Sequence, residues 1–331
     1  MSNEEIMVSI CCITYNHEKY IKEALDSFLA QKTNFKYEII INDDASTDNT
    51  ANIIKEYENK YPDIIKPIYQ KENQYSKGIQ TFEITFKAAK GKYIALCEGD
   101  DYWIDENKLQ MQFEYMEKNE NCTFCFHNAK IYDERINDMV RDFLPYRTEQ
   151  KKYFTKDNKY NVGEIALLNE IPTASYFFRS DVVFKEWCRN LVAGDIVIQL
   201  LTTYKGYAYY MDKVMCVYRV GTGISAMDGW EQDDRNKNKL KILNRLNGYK
   251  YIYEMINKET NYEYDDIFKK ILKDFEFSII LLKSKGEIND EDKKFIKELD
   301  IKGKCKFYLN KYLPNLYEKI KNIKNMLKKE R

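Results

Sequence analysis

The alternation of strand-like and helical segments in the first hundred residues is the strongest constraint on the fold. Four short runs of β-branched and apolar residues are separated by three segments whose apolar residues recur at helical spacing. The strand-like runs are 7–16, 36–46, 64–70 and 92–98, and the helical segments are 17–31, 46–62 and 75–91. This order predicts a doubly wound parallel sheet with helices on both faces, because a helix between two strands gives a crossover connection.

Polar side chains stand at the ends of three of these strands. They are Thr14, Tyr15 and Asn16, then Asp43 and Asp44, and finally Glu98, Asp100 and Asp101. We expect them to line one cleft, because ligands bind beyond the carboxyl ends of parallel strands. Adjacent carboxylates repel each other unless a cation offsets their charge, and carboxylate oxygens suit Mg²⁺ or Mn²⁺. The pattern predicts a divalent cation that bridges a diphosphate to the protein, and solvated surface charges are the alternative.

The rest of the chain is predicted to extend this sheet and to end in a helical region. Strands are expected at 122–133, 172–180 and 208–220, the last as a strand or a hairpin, with a charged loop at 137–160. Helices are expected at 106–119, 162–170 and 194–206, and in the Lys-rich segments 229–257, 263–284, 290–298 and 306–329. We therefore divide the chain into one domain over 1–227, with halves at about 1–103 and 104–227, and a helical region over 228–331.

Composition points to a folded, cytoplasmic protein. Hydrophobic residues make up 44% of the chain and aromatic residues 15%, which is enough for a packed core. The start of the chain is polar, unlike a signal peptide, and no run approaches the ~18–20 apolar residues of a membrane span. Nucleic acid is not an expected partner, because the body of the chain is acidic and contains no recognised nucleic-acid-binding module.

The last residues have the pattern of a basic amphipathic helix. Leu316, Ile320, Ile323 and Leu327 recur at helical spacing, and lysines occupy much of the remaining face. Such a helix can lie on an anionic membrane surface, which would place the protein at the inner face of the plasma membrane. A packing helix with solvated lysines, or a flexible end, explains the same pattern.

Three segments, in order, resemble the signatures of family 2 glycosyltransferases, which have the GT-A nucleotide-sugar fold. They read VSICCITYNHEKYIKEALDSFLAQ, YEIIINDDASTDNT and GKYIALCEGDDYW. The resemblance covers about residues 6–226 and leaves the helical remainder unmatched. It implies a mostly parallel nucleotide-binding sheet flanked by helices, with the donor bound by the half at 1–103, the acceptor by the half at 104–227, and a C-terminal helical extension.

The resemblance places the nucleotide contacts at the first two strand ends. It implies that Thr14, Tyr15 and Asn16 mark the position where an aromatic ring packs on the base. It also implies that Asp44 hydrogen-bonds the base, usually uracil, while Asp43 supports that turn.

The acid-rich loop resembles the part of this family that binds the ribose and the metal–diphosphate. Glu98 stands where relatives often have Asp, so we expect it to reach the ribose, with Mn²⁺ or Mg²⁺ on Asp100 or Asp101. Arg219 resembles an arginine that approaches the diphosphate, and a surface salt bridge is its alternative role. Relatives often carry His where this chain has Gly221, which leaves one metal or phosphate contact open.

The acceptor side is expected to come from later residues. The resemblance implies a catalytic base at a helix start, and Asp195 in GDIVIQLLTTYKG fits, although a helix N-cap also explains Asp there. Tyr102, Trp103 and Arg179 are expected to border the acceptor, with core packing as the alternative for Trp103. His17 is predicted to be solvated at a helix start or to face the nucleotide.

Together these features predict an inverting, metal-dependent glycosyltransferase. It would transfer a sugar from a nucleotide-diphospho-sugar, with UDP as the expected nucleotide, to a glycan hydroxyl on a lipid carrier during capsule, exopolysaccharide or lipopolysaccharide synthesis. A sugar nucleotidyltransferase is one alternative, but it usually needs a Gly-rich phosphate loop, which TYNHEKY lacks. The other is a non-catalytic nucleotide-sugar or glycan-binding protein, which would not need Asp195.

Overall fold

The protein, described by a computed structural model, forms one mixed β-sheet flanked by helices, with further helices after it. The described residues are 5–144, 157–168, 170–181, 186–188, 194–223 and 239–313. The strands are β1 (Ile6–Thr14), β2 (Lys36–Asp43), β3 (Ile65–Tyr69), β4 (Tyr93–Leu96), β5 (Tyr102–Trp103), β6 (Cys122–Asp133), β7 (Asp138–Asp142), β8 (Lys159–Tyr160), β9 (Phe177–Arg179) and β10 (Tyr207–Val220). The α-helices are α1 (Ile21–Leu29), α2 (Thr50–Lys60), α3 (Thr81–Ala88), α4 (Lys108–Lys118), α5 (Val162–Leu168), α6 (Gly194–Thr203), α7 (Lys239–Glu259), α8 (Asp265–Leu282), α9 (Asp290–Glu298) and α10 (Ile301–Tyr312).

The first half of the chain forms the predicted parallel sheet. Its strand order is β3-β2-β1-β4, and each neighbouring pair is parallel. Ile21, Leu25 and Phe28 of α1 pack into a core on one face, while Phe82 of α3 packs into the core on the other. The doubly wound arrangement is confirmed, because hydrophobic side chains of crossover helices cover both faces of these strands.

The second half continues the same sheet with mixed strand directions. The order runs on as β9-β6-β10-β5, where β6 and β10 are parallel and β9 is antiparallel to both of its neighbours. The 207–220 segment is one irregular strand rather than a hairpin. The predicted 137–160 loop contains β7, which pairs with β6 and has every residue exposed. An exposed edge strand gives no apolar alternation, so periodicity could not reveal it.

The C-terminal helices complete one of the two cores. Ile252 and Tyr253 of α7 and Phe268 of α8 are buried in the same cluster as Phe126 of β6. In the described part of the chain, no helix is long and apolar enough to cross a membrane. Residues 224–238 and 314–331 lie outside the described residues, so the domain boundary near 227 and the membrane-binding tail stay predictions.

A lysine is buried within this fold. Lys108 of α4 has no exposed surface. Its Nζ donates to Gln112 Oε1 at 2.8 Å and lies 4.0 Å from the centroid of the Trp103 ring. The loss of hydration lowers the pKa of Lys108 to about 8.

Lys108→Met is expected to remove one pH-dependent contribution to the free energy of unfolding. The unfolded lysine has a pKa of about 10.4, so between about pH 8 and 10.4 the unfolded state binds more protons and wild-type stability rises with pH. The unfolding free energy of the variant minus that of the wild type should therefore fall by up to about 3 kcal/mol across this window in urea denaturation. Lys118→Met, at the exposed end of α4, is the control. A difference that stays constant with pH for Lys108→Met would contradict the shift.

Candidate active site

The polar strand ends meet at one edge of the sheet, as the parallel order predicts. Thr14 at the end of β1 lies opposite Asp43 at the end of β2. The N–H of Asp44 donates to the carbonyl of Thr14 at 2.9 Å, and the N–H of Gly99 donates to the carbonyl of Ile13 at 2.9 Å. Backbone hydrogen bonds thus tie the loops after β2 and β4 to the end of β1.

The two residues that follow β1 have different roles: Tyr15 exposes an aromatic ring, and Asn16 holds two loops together. Tyr15 is 39% exposed, so its ring is available to a ligand. Asn16 has a positive φ of 57°, its N–H donates to Ser46 Oγ at 2.9 Å, and its Oδ1 accepts the N–H of Thr47 at 2.8 Å. The side chain of Asn16 therefore joins two loops.

The two acids after β2 are buried and hydrogen-bonded within the protein. Asp43 Oδ1 accepts the Ser46 hydroxyl at 2.5 Å, and burial raises the pKa of Asp43. Asp44 accepts the N–H of Gln74 at 2.7 Å on Oδ1 and the N–H of Tyr75 at 3.0 Å on Oδ2. Asp44 therefore fixes the loop after β3 beside the cleft, with a partner on each carboxylate oxygen.

The acid loop, residues 98–101, packs closely against the β1 end. A Cβ on Gly99 would lie 2.8 Å from Thr14 Oγ1 and 2.9 Å from His17 Nδ1, so glycine is the residue that fits there. Asp101 is 1% exposed, and its Oδ1 accepts the backbone N–H of Arg219 at 2.9 Å. Asp101 Oδ2 is buried without a hydrogen-bond partner in the described residues.

This loop carries more negative charge than the surrounding protein offsets. Burial, and then the charges of Asp100 and Asp195, raise the pKa of Glu98 to about 8. Burial, and then the charges of Asp100 and Glu98, raise the pKa of Asp101 well above its ordinary value. The described residues contain no group of three or more His, Cys, Asp or Glu placed to hold a metal ion. One or two carboxylates with substrate phosphates commonly hold Mg²⁺, so a cation on Asp100 or Asp101 stays a prediction.

Arg219 is mostly buried and holds the acid loop through contacts with other parts of the protein. It is 7% exposed, and its Nη1 donates to the carbonyl of Asp100 at 2.5 Å. Its guanidinium forms ion pairs with Glu23 and, at 3.1 Å, with Glu134, and lies 4.6 Å from the centroid of the Tyr102 ring. These contacts occupy the guanidinium of Arg219 within the protein, and its approach to the diphosphate stays a prediction.

Two of the three expected acceptor residues lie away from the cleft. Trp103 is 4% exposed and its indole N–H donates to the carbonyl of Ala174 at 2.9 Å, so the core alternative describes it. Arg179 lies beside Tyr93 at the start of β4, the opposite edge of the sheet, and donates to the carbonyl of Met116 at 3.1 Å. Tyr102 is half-buried beneath the guanidinium of Arg219.

Asp195 lies in the first turn of α6, and its charge contributes to the raised pKa of Glu98 in the acid loop. Asp195 is exposed, yet the neighbouring protein removes enough of its hydration water to raise the pKa of its carboxyl group. The positive charge of Arg245 on α7 lowers the pKa of Asp195. Burial and the negative charge of Asp195 raise the pKa of Tyr249 on the same helix. Neither Arg245 nor Tyr249 could be predicted from the sequence, because they occur in a Lys-rich helical segment without a motif.

Comparison with known proteins places the chain in a family. The model of the family described as glycosyl transferase family 2 matches residues 9–182. An uncharacterised protein of Mycobacterium tuberculosis is 36% identical over 214 residues, which are 64% of this chain and 58% of that protein. The UDP-Glc:alpha-D-GlcNAc-diphosphoundecaprenol beta-1,3-glucosyltransferase WfgD of Escherichia coli is 34% identical over 142 residues, 43% of this chain and 52% of that enzyme. The chain thus spans a little over half the length of these curated relatives.

A solved structure confirms the GT-A fold. The mannosyltransferase PcManGT of Pyrobaculum calidifontis, in complex with GDP-Man and Mn²⁺, superposes with a TM-score of 0.51 and 13% identity, covering 95% of this chain and 83% of that one. The family match extends from β1 through the acid loop to β9, more than half of the sequence. The chain therefore belongs to glycosyl transferase family 2.

Proposed function

We propose that the protein transfers a sugar, with inversion, from a nucleotide-diphospho-sugar to a hydroxyl group of a glycan. The observation that carries this proposal is the packing of the acid loop against the end of β1, beside the end of β2. The charge of Asp195 contributes to the raised pKa of Glu98, which supports the proposal that the candidate base lies near the acid loop.

The donor is proposed to lie along the edge formed by β1, β2 and the acid loop. The exposed ring of Tyr15 would stack on the base, which we take to be uracil, and the loop fixed by Asp44 would border it. Asp100 or Asp101 would hold Mg²⁺ or Mn²⁺, and Glu98 would reach the ribose. When bound, such a cation stabilises negative charge on the departing nucleoside diphosphate.

The acceptor is proposed to approach from the side of α6. Asp195 would take the proton of the attacking hydroxyl, and its raised pKa strengthens it as a base. A single displacement at the anomeric carbon then inverts the configuration. The proposed acceptor is a lipid-linked glycan of a surface polysaccharide, a class supported by the relative WfgD, a glucosyltransferase named for a diphosphoundecaprenol-linked GlcNAc.

The donor half of the proposal predicts cation-dependent binding of UDP. Calorimetry on the full chain should detect UDP binding with Mn²⁺ present, and Asp100→Asn should weaken it at least about tenfold, a loss of about 1.4 kcal/mol or more. Asp63→Asn, an exposed site between α2 and β3, serves as the control and should bind like the wild type. A folded wild-type protein that binds neither UDP nor another nucleoside diphosphate with Mn²⁺ would refute the proposed function.

A further inference from the structure

His17 lies beside the acid loop, with one ring nitrogen unpaired and the other facing a carboxylate. Its side chain is 10% exposed, contrary to the simple prediction of a solvated residue at a helix start. Nδ1 is buried without a hydrogen-bond partner in the described residues. Nε2 faces Asp100 Oδ2 at 3.9 Å.

This separation fits two ligands of one ion better than a direct bond. A distance of 3.9 Å exceeds the range of an N–H···O hydrogen bond. Two protein ligands that each lie about 2.1 Å from the same divalent cation can be at most about 4.2 Å apart. A cation between Nε2 of His17 and Oδ2 of Asp100 would therefore contact both atoms without a rearrangement of the backbone.

Two more buried oxygens, one at the end of β1 and one in the acid loop, lack hydrogen-bond partners in the described residues. Thr14 Oγ1 and Asp101 Oδ2 have no hydrogen bond within the described chain, although both residues are at least 97% buried. The missing Cβ of Gly99 lets Thr14 Oγ1 and His17 Nδ1 approach the same point of the acid loop. Buried polar groups are nearly always paired, so these atoms are available to a bound ion or to its waters.

We propose that His17 ligates the divalent cation of the donor site together with Asp100. The inference rests on the proposed function and adds to it a nitrogen ligand from the loop between β1 and α1. A nitrogen ligand makes the site less suited to Mg²⁺, which favours oxygen ligands, and better suited to a first-row transition cation.

Pulsed EPR of Mn²⁺ bound to the full chain with UDP tests this directly. The wild type should show a directly coordinated nitrogen whose coupling changes when the protein's histidines carry ¹⁵N, and His17→Gln should lose that coupling. The Kd for Mn²⁺ should also rise about tenfold or more in His17→Gln. His127→Gln is the matched control, because the chain contains only these two histidines and His127 is buried in β6. It should keep the nitrogen coupling.

The outcomes separate this inference from the proposed function. Bound Mn²⁺ with oxygen ligands only in the wild type, or a histidine coupling that persists in His17→Gln, overturns the role of His17 alone. The ¹⁵N measurement on the wild type decides the question even if a variant does not fold. A folded wild type that binds neither Mn²⁺ nor UDP overturns both proposals.

Discussion

Asp195→Asn is expected to lower the rate of UDP release from a UDP-sugar by about 10²- to 10⁴-fold, the usual contribution of a general base. Binding of UDP with Mn²⁺ should stay close to that of the wild type. The residue lies on α6, whereas the proposed donor contacts come from the β1 and β2 ends and the acid loop. This variant should therefore lose most of its turnover while it keeps nucleotide binding.

The chemical reason is the loss of a proton acceptor at an unchanged position. Asn has the shape of Asp but no basic carboxylate. It keeps an oxygen that can accept the N–H of Ile196, which stabilises the charge of Asp195 in the wild type. The helix start should stay formed, because Asn matches the size of Asp and keeps this hydrogen bond, and the unfolding midpoint should change little.

The measurement is a coupled assay of UDP release, repeated with Asp181→Asn. Asp181 is exposed near the edge of the sheet opposite the cleft, so its replacement controls for the loss of one negative charge. A rate for Asp195→Asn within about twofold of the wild type would show that Asp195 is not the base, since a general base contributes far more. A wild type that binds UDP without turning over any tested UDP-sugar, with acceptor present, would favour the non-catalytic alternative.

Local sequence patterns were enough to predict the first half of the fold. Each strand from β1 to β4 is a short apolar run, and each helix between them has one apolar stripe, so periodicity identified them separately. The meeting of Thr14, Asp43 and the acid loop then followed from parallel order alone, because the edge of a parallel sheet collects its strand ends.

The side-chain partners could not be predicted, because they depend on packing between distant segments. Arg219 pairs with Glu23 across 196 positions of the chain, and no spacing rule marks that contact. His17 is buried because the glycine at position 99 lets the acid loop close over it. Sequence patterns therefore indicated which loops form the site but not which of their side chains remain free for a ligand.

The same limit explains Trp103, whose position beside the acid loop suggested a sugar-binding surface. Its ring centroid lies 4.8 Å from that of Phe28 on α1, and its backbone N–H donates to Ser27 Oγ at 3.1 Å. The short strand β5 pairs antiparallel with β10 and so carries the side chain into the core between the sheet and α1. An aromatic residue after an acid loop can face the cleft or the core, and the pairing of β5 with β10 directs Trp103 to the core.

Trp103→Ala is therefore expected to destabilise the fold by about 3–5 kcal/mol, the usual cost of deleting a buried aromatic side chain. The variant loses the contact with Phe28, leaves the carbonyl of Ala174 without its donor and opens a cavity beside the buried Lys108. Urea denaturation measures the loss. Trp103→Phe is the matched control, because it keeps a ring against Phe28 and should lose much less.

A residue that lined the acceptor pocket would behave in the opposite way, since its removal would raise the KM for acceptor and leave the unfolding free energy within about 0.5 kcal/mol of the wild type. A Trp103→Ala protein with wild-type stability and a raised acceptor KM would restore Trp103 to the acceptor site.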